Sequence, residues 1–449
     1  MVDKPSIAIA IVALLIGAGS FAYTGSIVGG LSSQADLSAV QSDVSSVKTS
    51  VSSLATKSDV SAQISSLQDN LQKQIAAAAS GSADAQAKLQ AQLAATQADL
   101  KSAQSAADAA QAELEKAAAH EALVEAARLE KKLVWYGFSD TPDMVGIVYK
   151  RFQEIYPWAE LDYYEGGSAI VATRMIEEHE SGIPTADVVD ITNVPGQQLI
   201  QYMARDMLAA YPIAQEAIDY PAGSYDPAGY WHPKTASPVV INYNTNLVDP
   251  SEVPQSWDDL ADPKWKGRLT LQDPAVLSAV GATFAQLKPV MGADKWETWI
   301  KAVGENTAAL TPSATAAFNT VVNGEFEITV DLMNDIVKHK GKDPSFPMAN
   351  APVKEVGVSF TGIGIYSQAA HPNLARLFME FFTSIEGQKA IVDTGRSGPL
   401  AILGTVEWKG ESFMPPGSAL MDATIAGDGG DFYSDGDKWK ALYKEYFPR

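Results

Sequence analysis

The stretch VVINYNT at residues 239–245 decides the fold of this 449-residue chain. Its β-branched and aromatic residues predict a strand, and GVSFTGIGIY at residues 357–366 predicts a second one. We interpret both as strands that cross between two lobes. Two such crossings would hinge the lobes over a cleft, and closure of that cleft would enclose a ligand.

Short strands alternate with helices on the N-terminal side of this stretch. LVWY at residues 133–136, LDYY at 161–164 and DVVDI at 187–191 each predict a strand, and apolar residues at helical spacing separate them. This alternation is typical of βαβ units around a parallel sheet, so it predicts an α/β fold. In such sheets ligands bind at the carboxyl ends of the strands, where loops and helix N-termini lie.

Composition and charge exclude several classes of function. The chain has no cysteine, which excludes disulfides, thiolate zinc sites and iron–sulfur clusters. Its net charge of −21 repels a phosphate backbone, so we expect no nucleic-acid partner. The five histidines lack metal-ligand spacing, and the sequence contains no catalytic motif. We therefore expect a protein that is not an enzyme and has no cofactor and no metal site.

The N-terminus carries an apolar segment. Residues 6–31 contain no charged side chain, and residues 7–23 are almost continuously apolar. A membrane-spanning helix needs roughly 20 such residues. We predict that residues 1–32 form a single transmembrane anchor, with the C-terminal domain outside the cell in an extracellular or periplasmic position. A secretory signal, cleaved or retained, is the alternative.

A low-complexity segment rich in Ala, Ser, Gln and Asp follows at residues 33–132. Its Leu and Val residues lie three and four apart, and this heptad seam predicts a long α-helical coiled-coil stalk. A Ser-Gly-Ser break at residues 80–82 leaves two arrangements open. The stalk is either an extended parallel homo-oligomer or an antiparallel hairpin within one chain.

Several short motifs together carry a family resemblance. They are VVINYNT at 239–245, PQSWDDL at 254–260, DPKWKGR at 262–268, NGE at 323–325, HPNLA at 371–375 and SIEGQ at 384–388. In this order they resemble type II periplasmic solute-binding proteins, the extracellular receptors of ABC importers. The ferric-iron, thiamine and phosphonate branch is the most similar one.

The resemblance implies a two-lobed type II periplasmic-binding-protein fold over residues 133–449. Lobe 1 would comprise about residues 133–238 and 358–400, and lobe 2 about residues 239–357 with the C-terminal segment. It also implies that the chain captures a small molecule and passes it to an ABC permease in the membrane. The alternative is a surface sensor, or a structural or interaction protein, that retains the binding fold.

Candidate ligand-binding residues lie in loops that follow strands and precede helices, and the resemblance implies that these loops face the cleft. Ser, Thr and Asp before a helix are also ordinary N-caps, which is the competing interpretation of each. Tyr243 and Asn244 are expected near the hinge. The full set is Ser139, Asp140, Thr141, Gly167, Ser168, Thr192, Asn193, Tyr243, Asn244, Ser278, Ser313, Thr315, Asp331 and Asn334.

One segment of the sequence indicates whether the chain has the ligands for ferric iron. Ferric-binding members of the family carry two adjacent tyrosines in the loop after the strand that follows Gly-Glu. In this chain that strand is FEITV at residues 326–330, and the residues after it, DLMND at 331–335, contain no tyrosine. Bare ferric iron is therefore disfavoured. Asp331 and Asn334 suggest a ligand with amine or hydroxyl groups, and an anion held on helix N-termini is equally consistent with the sequence.

Overall fold

The computed structural model of the chain divides into two compact units, Met1–Ala122 and Leu123–Arg449. It describes residues 101, 105, 112, 115–137, 142–191, 197–213, 226–396, 413–421, 432 and 435–447. The predicted anchor and most of the predicted stalk lie outside these residues, although residues 115–122 of the first unit are helical. Among the described residues, no helix has the length and apolar character needed to span a membrane.

The second unit alternates strands with helices, as the sequence predicts. Its strands are β1 (Lys132–Gly137), β2 (Glu160–Glu165), β3 (Val188–Ile191), β4 (Leu208–Ala209), β5 (His232–Asn244), β6 (Leu269–Gln272), β7 (Thr307–Thr311), β8 (Ile328–Leu332), β9 (Met348–Asn350), β10 (Glu355–Tyr366) and β11 (Ala419–Leu420). Residues 123–130 are helical, and the helices that follow them are α1 (Pro142–Ile155), α2 (Ser168–Ser181), α3 (Gln197–Met203), α4 (Ala279–Met291), α5 (Ala293–Asn306), α6 (Ala314–Val322), α7 (Met333–Lys340), α8 (Pro372–Thr383), α9 (Ile385–Asp393) and α10 (Gly436–Tyr446).

The main sheet has the strand order β2-β1-β3-β10-β5-β8-β6-β7. Strands β1, β2 and β3 are mutually parallel, and so are β6, β7 and β8. Between the two groups, β10 runs antiparallel to both β3 and β5, and β5 runs antiparallel to β8. The α/β prediction is confirmed, but the sheet is mixed because two parallel groups are joined by two long antiparallel strands.

The two long strands are the crossings that the sequence predicts, with one correction. Strand β5 begins at His232 rather than at Val239, so the crossing segment itself is HPKTASP at residues 232–238. Its two prolines and polar residues are typical of a loop, which hides the strand in the sequence. The partner strand begins at Glu355, two residues before its predicted start, and it pairs with β5 from Gly357↔Val239 to Ile363↔His232.

Separate apolar cores form on the two sides of these strands. On one side Trp135 is fully buried against the rings of Phe378 and Phe382, at centroid distances of 5.6 and 6.0 Å. On the other side the Trp299 indole N–H donates to the Trp257 carbonyl at 2.6 Å, and both tryptophans are buried. Each parallel group of strands therefore has its own core; the lobe boundaries drawn from the sequence stay a prediction.

The C-terminal helix α10 completes the second core. The Tyr443 hydroxyl donates to the Gly281 carbonyl at 2.7 Å, and Phe447 stacks on Phe284 with 6.3 Å between ring centroids. Helix α5 comes so close to the end of α10 that a Cβ at Gly304 would collide with the carbonyl oxygen of Tyr446. Gly304 is therefore required for this helix to dock.

We expect Gly304→Ala to lower the free energy of unfolding by about 1–3 kcal/mol, because the added methyl group overpacks this contact. Gly146→Ala is the matched control, since Gly146 also lies in a helix and a Cβ there meets no atom within 4 Å. The control should gain about 0.5–1 kcal/mol, the ordinary advantage of Ala over Gly in a helix. Urea unfolding measures both values, and equal effects of the two substitutions would contradict the docking contact.

Candidate functional site

The carboxyl ends of the two parallel groups point towards each other. Ile191, the last residue of β3, pairs with Gly362 of β10, and Leu332, the last residue of β8, pairs with Val239 of β5. Between these two points β5 and β10 pair only with each other among the described strands. We call this two-stranded segment, residues 235–238 and 358–361, the floor. Ligands of such sheets bind at the carboxyl ends of the parallel strands, so the floor lies where a ligand site is expected.

Four hydroxyl side chains share one face of the floor. Thr235 pairs with Thr361 and Ser237 with Ser359, so the four residues alternate along the two strands and point to the same side. The two threonine hydroxyls hydrogen-bond each other at 2.6 Å. Ser359 and Thr361 are partly exposed.

The opposite face of the floor packs into the second core through the buried residues Ala236, Val358 and Phe360. The hydroxyl face is therefore the one that can meet a solute. These four residues are not among those predicted from the sequence, although the alternation T-x-S at 235–237 and S-x-T at 359–361 indicates one hydroxyl-bearing face.

Three helices follow strands of the two parallel groups, and we call their N-termini the rim. Helix α2 follows β2, and its N-cap Gly167 has no side chain to satisfy the first-turn N–H groups. Helix α4 follows β6 and α6 follows β7; Ser278 and Ser313 cap them by accepting hydrogen bonds from the N–H groups of Gly281 and Ala316, each at 3.2 Å. None of the three helices has an acidic residue in its first turn, so each N-terminus keeps its positive end of the helix dipole.

The predicted site residues therefore divide into several groups. Ser278 and Ser313 act as N-caps, which was their competing interpretation, and Thr315 is exposed in the first turn of α6. Ser168 begins α2, but its side chain is not among those described. The remaining predicted loop residues, Ser139, Asp140, Thr141, Thr192 and Asn193, lie outside the described residues.

Tyr243 and Asn244 are not near the hinge, so that expectation is wrong. Tyr243 pairs with Ile328, where β8 begins, and this is the end of β8 remote from the floor. The Asn244 side chain donates to the Val321 carbonyl at 2.8 Å and accepts from the Asn246 N–H at 2.9 Å. The expectation failed because the crossing lies upstream of residue 239, so this pair lies at the end of β5 that is remote from the floor.

Asp331 and Asn334 were expected in a loop after the strand, but Asp331 lies inside β8, Asn334 lies in the first turn of α7, and both are buried. Asp331 is 2% exposed and Asn334 is 7% exposed. One oxygen of Asp331 accepts from the Leu332 N–H at 2.7 Å. Burial raises the pKa of Asp331 to about 7. Neither residue is open to the space above the floor, so a role in contacting the solute stays a prediction for both.

A buried ion pair fastens the crossing strand to the first group of strands. Lys234 of β5 and Asp190 of β3 are 2% and 0% exposed and form a salt bridge. The Trp135 indole N–H donates to the other Asp190 oxygen at 2.9 Å, and the Lys234 ammonium lies 5.4 Å from the centre of the indole ring. No local sequence pattern indicates this pair, since the two residues lie 44 positions apart along the chain.

We expect Lys234→Met to lower the free energy of unfolding by about 3–5 kcal/mol, because it leaves the Asp190 carboxylate buried without its counter-charge. Adding Asp190→Asn should recover much of that loss, because both charges are then gone. Lys301→Met breaks an exposed pair with Glu297 and should change the free energy of unfolding very little, because solvent screens this pair. A loss as small as that of Lys301→Met would show that the buried pair does not stabilise the fold.

His232, at the start of β5, makes folding stability depend on pH. Its Nε2 donates to the Tyr211 carbonyl at 3.0 Å, and burial lowers its pKa from 6.5 to about 4. In the unfolded chain His232 is protonated below pH 6.5, whereas in the folded protein it is protonated only below about pH 4. The contribution of His232 to the free energy of unfolding is at its maximum above pH 6.5. It should decrease by up to roughly 3 kcal/mol as the pH falls from 6.5 to about 4.

The measurement is the free energy of unfolding in urea from pH 7.5 to 4. In His232→Gln the decline should be shallower, because the glutamine cannot take up the proton, while all carboxylates are shared with the parent chain. Parallel pH profiles for the two proteins would contradict a buried neutral imidazole.

Curated relatives resemble part of this chain. Iron uptake protein A1 of Synechocystis is 26% identical over 204 residues, covering 42% of this chain and 56% of the relative. The Fe(3+)-binding periplasmic protein of Serratia marcescens is 24% identical over 234 residues, covering 50% of this chain and 66% of the relative. An uncharacterised protein of Haemophilus influenzae is 26% identical, and 47% of its length is covered. The chain thus spans about half to two thirds of the length of these relatives.

Solved structures share the fold. The iron and citrate complex of the Trichodesmium protein FutA has a TM-score of 0.56 at 20% identity, and iron-bound HitA from Pseudomonas aeruginosa has a TM-score of 0.53 at 20% identity. Each match covers 70% of this chain and 99% of the solved chain. AfuA from Actinobacillus pleuropneumoniae, solved with fructose-6-phosphate, has a TM-score of 0.51 at 19% identity and covers 71% of this chain and 99% of that one. At these identities the likeness shows the two-lobed fold alone.

The family model described as bacterial extracellular solute-binding protein matches residues 184–408, which is half of the chain. The matched segment includes β5, β10 and the whole of the floor. This agrees with the resemblance carried by the sequence motifs to type II solute-binding proteins of the ferric-iron, thiamine and phosphonate branch. The chain belongs to the family of bacterial extracellular solute-binding proteins.

Proposed function

We propose that this chain is a membrane-tethered receptor outside the cell that encloses a small solute over the floor and delivers it to an ABC permease. Membership of the solute-binding family supports capture of a small molecule. The uncharged segment at residues 6–31 supports the tether, and the heptad seam at residues 33–132 supports a spacer that is able to form homo-oligomers. Recovery of the intact chain from the medium, with no membrane-bound fraction, would contradict the tether.

The observation that carries the proposal is the meeting of two sets of strand ends over a hydroxyl-bearing floor. A solute lying there would contact the hydroxyl groups of Ser359 and Thr361 and the N-termini of the rim helices. Hydroxyl groups donate to oxyanions and accept from hydroxyls, and uncompensated helix N-termini favour negative charge. The solute that fits this site is a small organic anion, such as a carboxylate or a phosphate ester, with further hydroxyl groups.

Ferric iron must be considered as the solute, because several relatives are named for iron. A hard ferric ion calls for anionic oxygen ligands such as phenolates, and the segment after β8 holds Met333, Asn334 and Asp335 where ferric-binding members have tyrosines. Bare ferric iron is therefore disfavoured. An anionic chelate of iron, in which an organic acid supplies the metal ligands, suits the same rim and floor as the free acid.

The solute is identified by thermal unfolding of the full-length chain with candidate ligands. The panel contains citrate, ferric citrate, ferric chloride, sugar phosphates, phosphonates, thiamine, polyamines and amino acids. A ligand at about 100 times its dissociation constant adds roughly 2.7 kcal/mol to the folded state. We expect a response confined to organic anions. A response to ferric chloride alone, or to polyamines alone, would overturn the proposed solute class.

Thr315→Asp tests the role of the rim. The new carboxylate stabilises α6, because it lies in the first turn of the helix, but it repels an anionic solute. We expect the dissociation constant of the responding anion to rise about tenfold, a loss of about 1.4 kcal/mol, while the melting temperature of the free protein stays equal or rises. Thr315→Asn, which has the same shape without the charge, is the control. Unchanged affinity in Thr315→Asp would show that this helix does not face the solute.

A further inference from the structure

A row of polar side chains lies buried under α7, on one face of β5, β8 and β9. Asn242 of β5 pairs with Thr329 of β8 on one side and with Asn350 of β9 on the other. Asp331 pairs with Val240, so it lies on the same face, diagonally across from Asn242. Neighbouring side chains of this kind have Cβ atoms about 5–8 Å apart, close enough for their terminal atoms to meet. The opposite face of the same strands carries Ile241, Ile328 and Val330, which are buried in the second core.

The terminal atoms of this row are buried without hydrogen-bond partners in the described part of the chain. On the strands they are Asp331 Oδ2, Asn350 Oδ1 and both side-chain atoms of Asn242, and Asn334 Oδ1 in the first turn of α7 is a fifth such atom. Asn242 is 0% exposed. Native proteins pair nearly all such atoms, and an unpaired buried amide or carboxylate carries a large desolvation penalty. Four of the five atoms are oxygens, so a bound group that attracts oxygen lone pairs would satisfy them.

The charge of the Asp331 carboxylate indicates which chemical class of group the row binds. Asp331 is 2% exposed and forms no ion pair with any described residue. One carboxylate in the row therefore lacks a counter-charge among the described residues.

We propose that Asp331, Asn242, Asn334 and Asn350 bind a monovalent alkali cation, sodium or potassium, inside the second half of the protein. Carboxylate and amide oxygens are ligands for hard cations. A single carboxylate neutralises one positive charge, whereas a divalent ion would leave a net charge buried. Asn242 and Thr329 lie two residues further from the floor than Asp331, beneath α7, so this site is separate from the solute site and does not depend on the identity of the solute.

The test is the melting temperature of the full-length chain at constant ionic strength, with sodium, potassium or N-methylglucamine as the only cation. We expect the melting temperature to rise with the logarithm of sodium or potassium concentration and to stay constant in N-methylglucamine. Asp331→Asn has the same shape without the charge, and its melting temperature should no longer respond to the alkali cation. Asp335→Asn is the matched control and should keep the response.

Sodium-23 NMR gives a second, direct readout. Bound sodium broadens the resonance, so the parent chain and Asp335→Asn should broaden it while Asp331→Asn should not. Equal melting temperatures in all three salts would overturn the proposal and would indicate ordered water alone. A response that persists in Asp331→Asn, or one given by calcium but by neither alkali ion, would overturn it as well.

Discussion

The antiparallel pairing of β5 with β10 holds the two halves of the domain together and sets their relative direction. Each strand continues from this pair into one of the parallel groups, β10 beside β3 and β5 beside β8. Because every junction is antiparallel, the two groups run in opposite directions and their carboxyl ends meet over the same short segment. The hydroxyl face, the rim of helix N-termini and the separate cores all follow from that one arrangement.

Much of this fold could be predicted from the sequence, because most of its elements have clear local patterns. The run VVINYN has the composition of a buried strand, and its order relative to the later motifs identified the family. The segment HPKTASP was not predicted as a strand, because prolines remove ladder hydrogen bonds. Only its pairing with β10 makes it extended. Whether such a segment forms a loop or a strand is decided by the distant residues with which it pairs.

The site was less predictable than the fold, for a related reason. Strand-end loops could be located from sequence order, and Ser278 and Ser313 do lie at helix starts. The pairing of Thr235 with Thr361, by contrast, joins residues 126 positions apart, and local pattern carries no information about it. The burial of Asp331 depends on strand register, since a shift by one residue would turn its side chain to the opposite face of the sheet.

The buried pair of Lys234 and Asp190 has a mechanical consequence for motion between the halves. It clamps β5 to the first group of strands up to residue 234, while the ladder with β8 holds the strand from Val239 onward. Bending of β5 is thereby confined to residues 235–238, a pivot only four residues long. Its side chains Thr235 and Ser237 are buried and pair with Thr361 and Ser359, the partly exposed hydroxyl-bearing residues of the floor. The pivot is therefore paired residue by residue with the strand that would contact the solute, so a bound solute would act on the angle between the halves through its immediate neighbours.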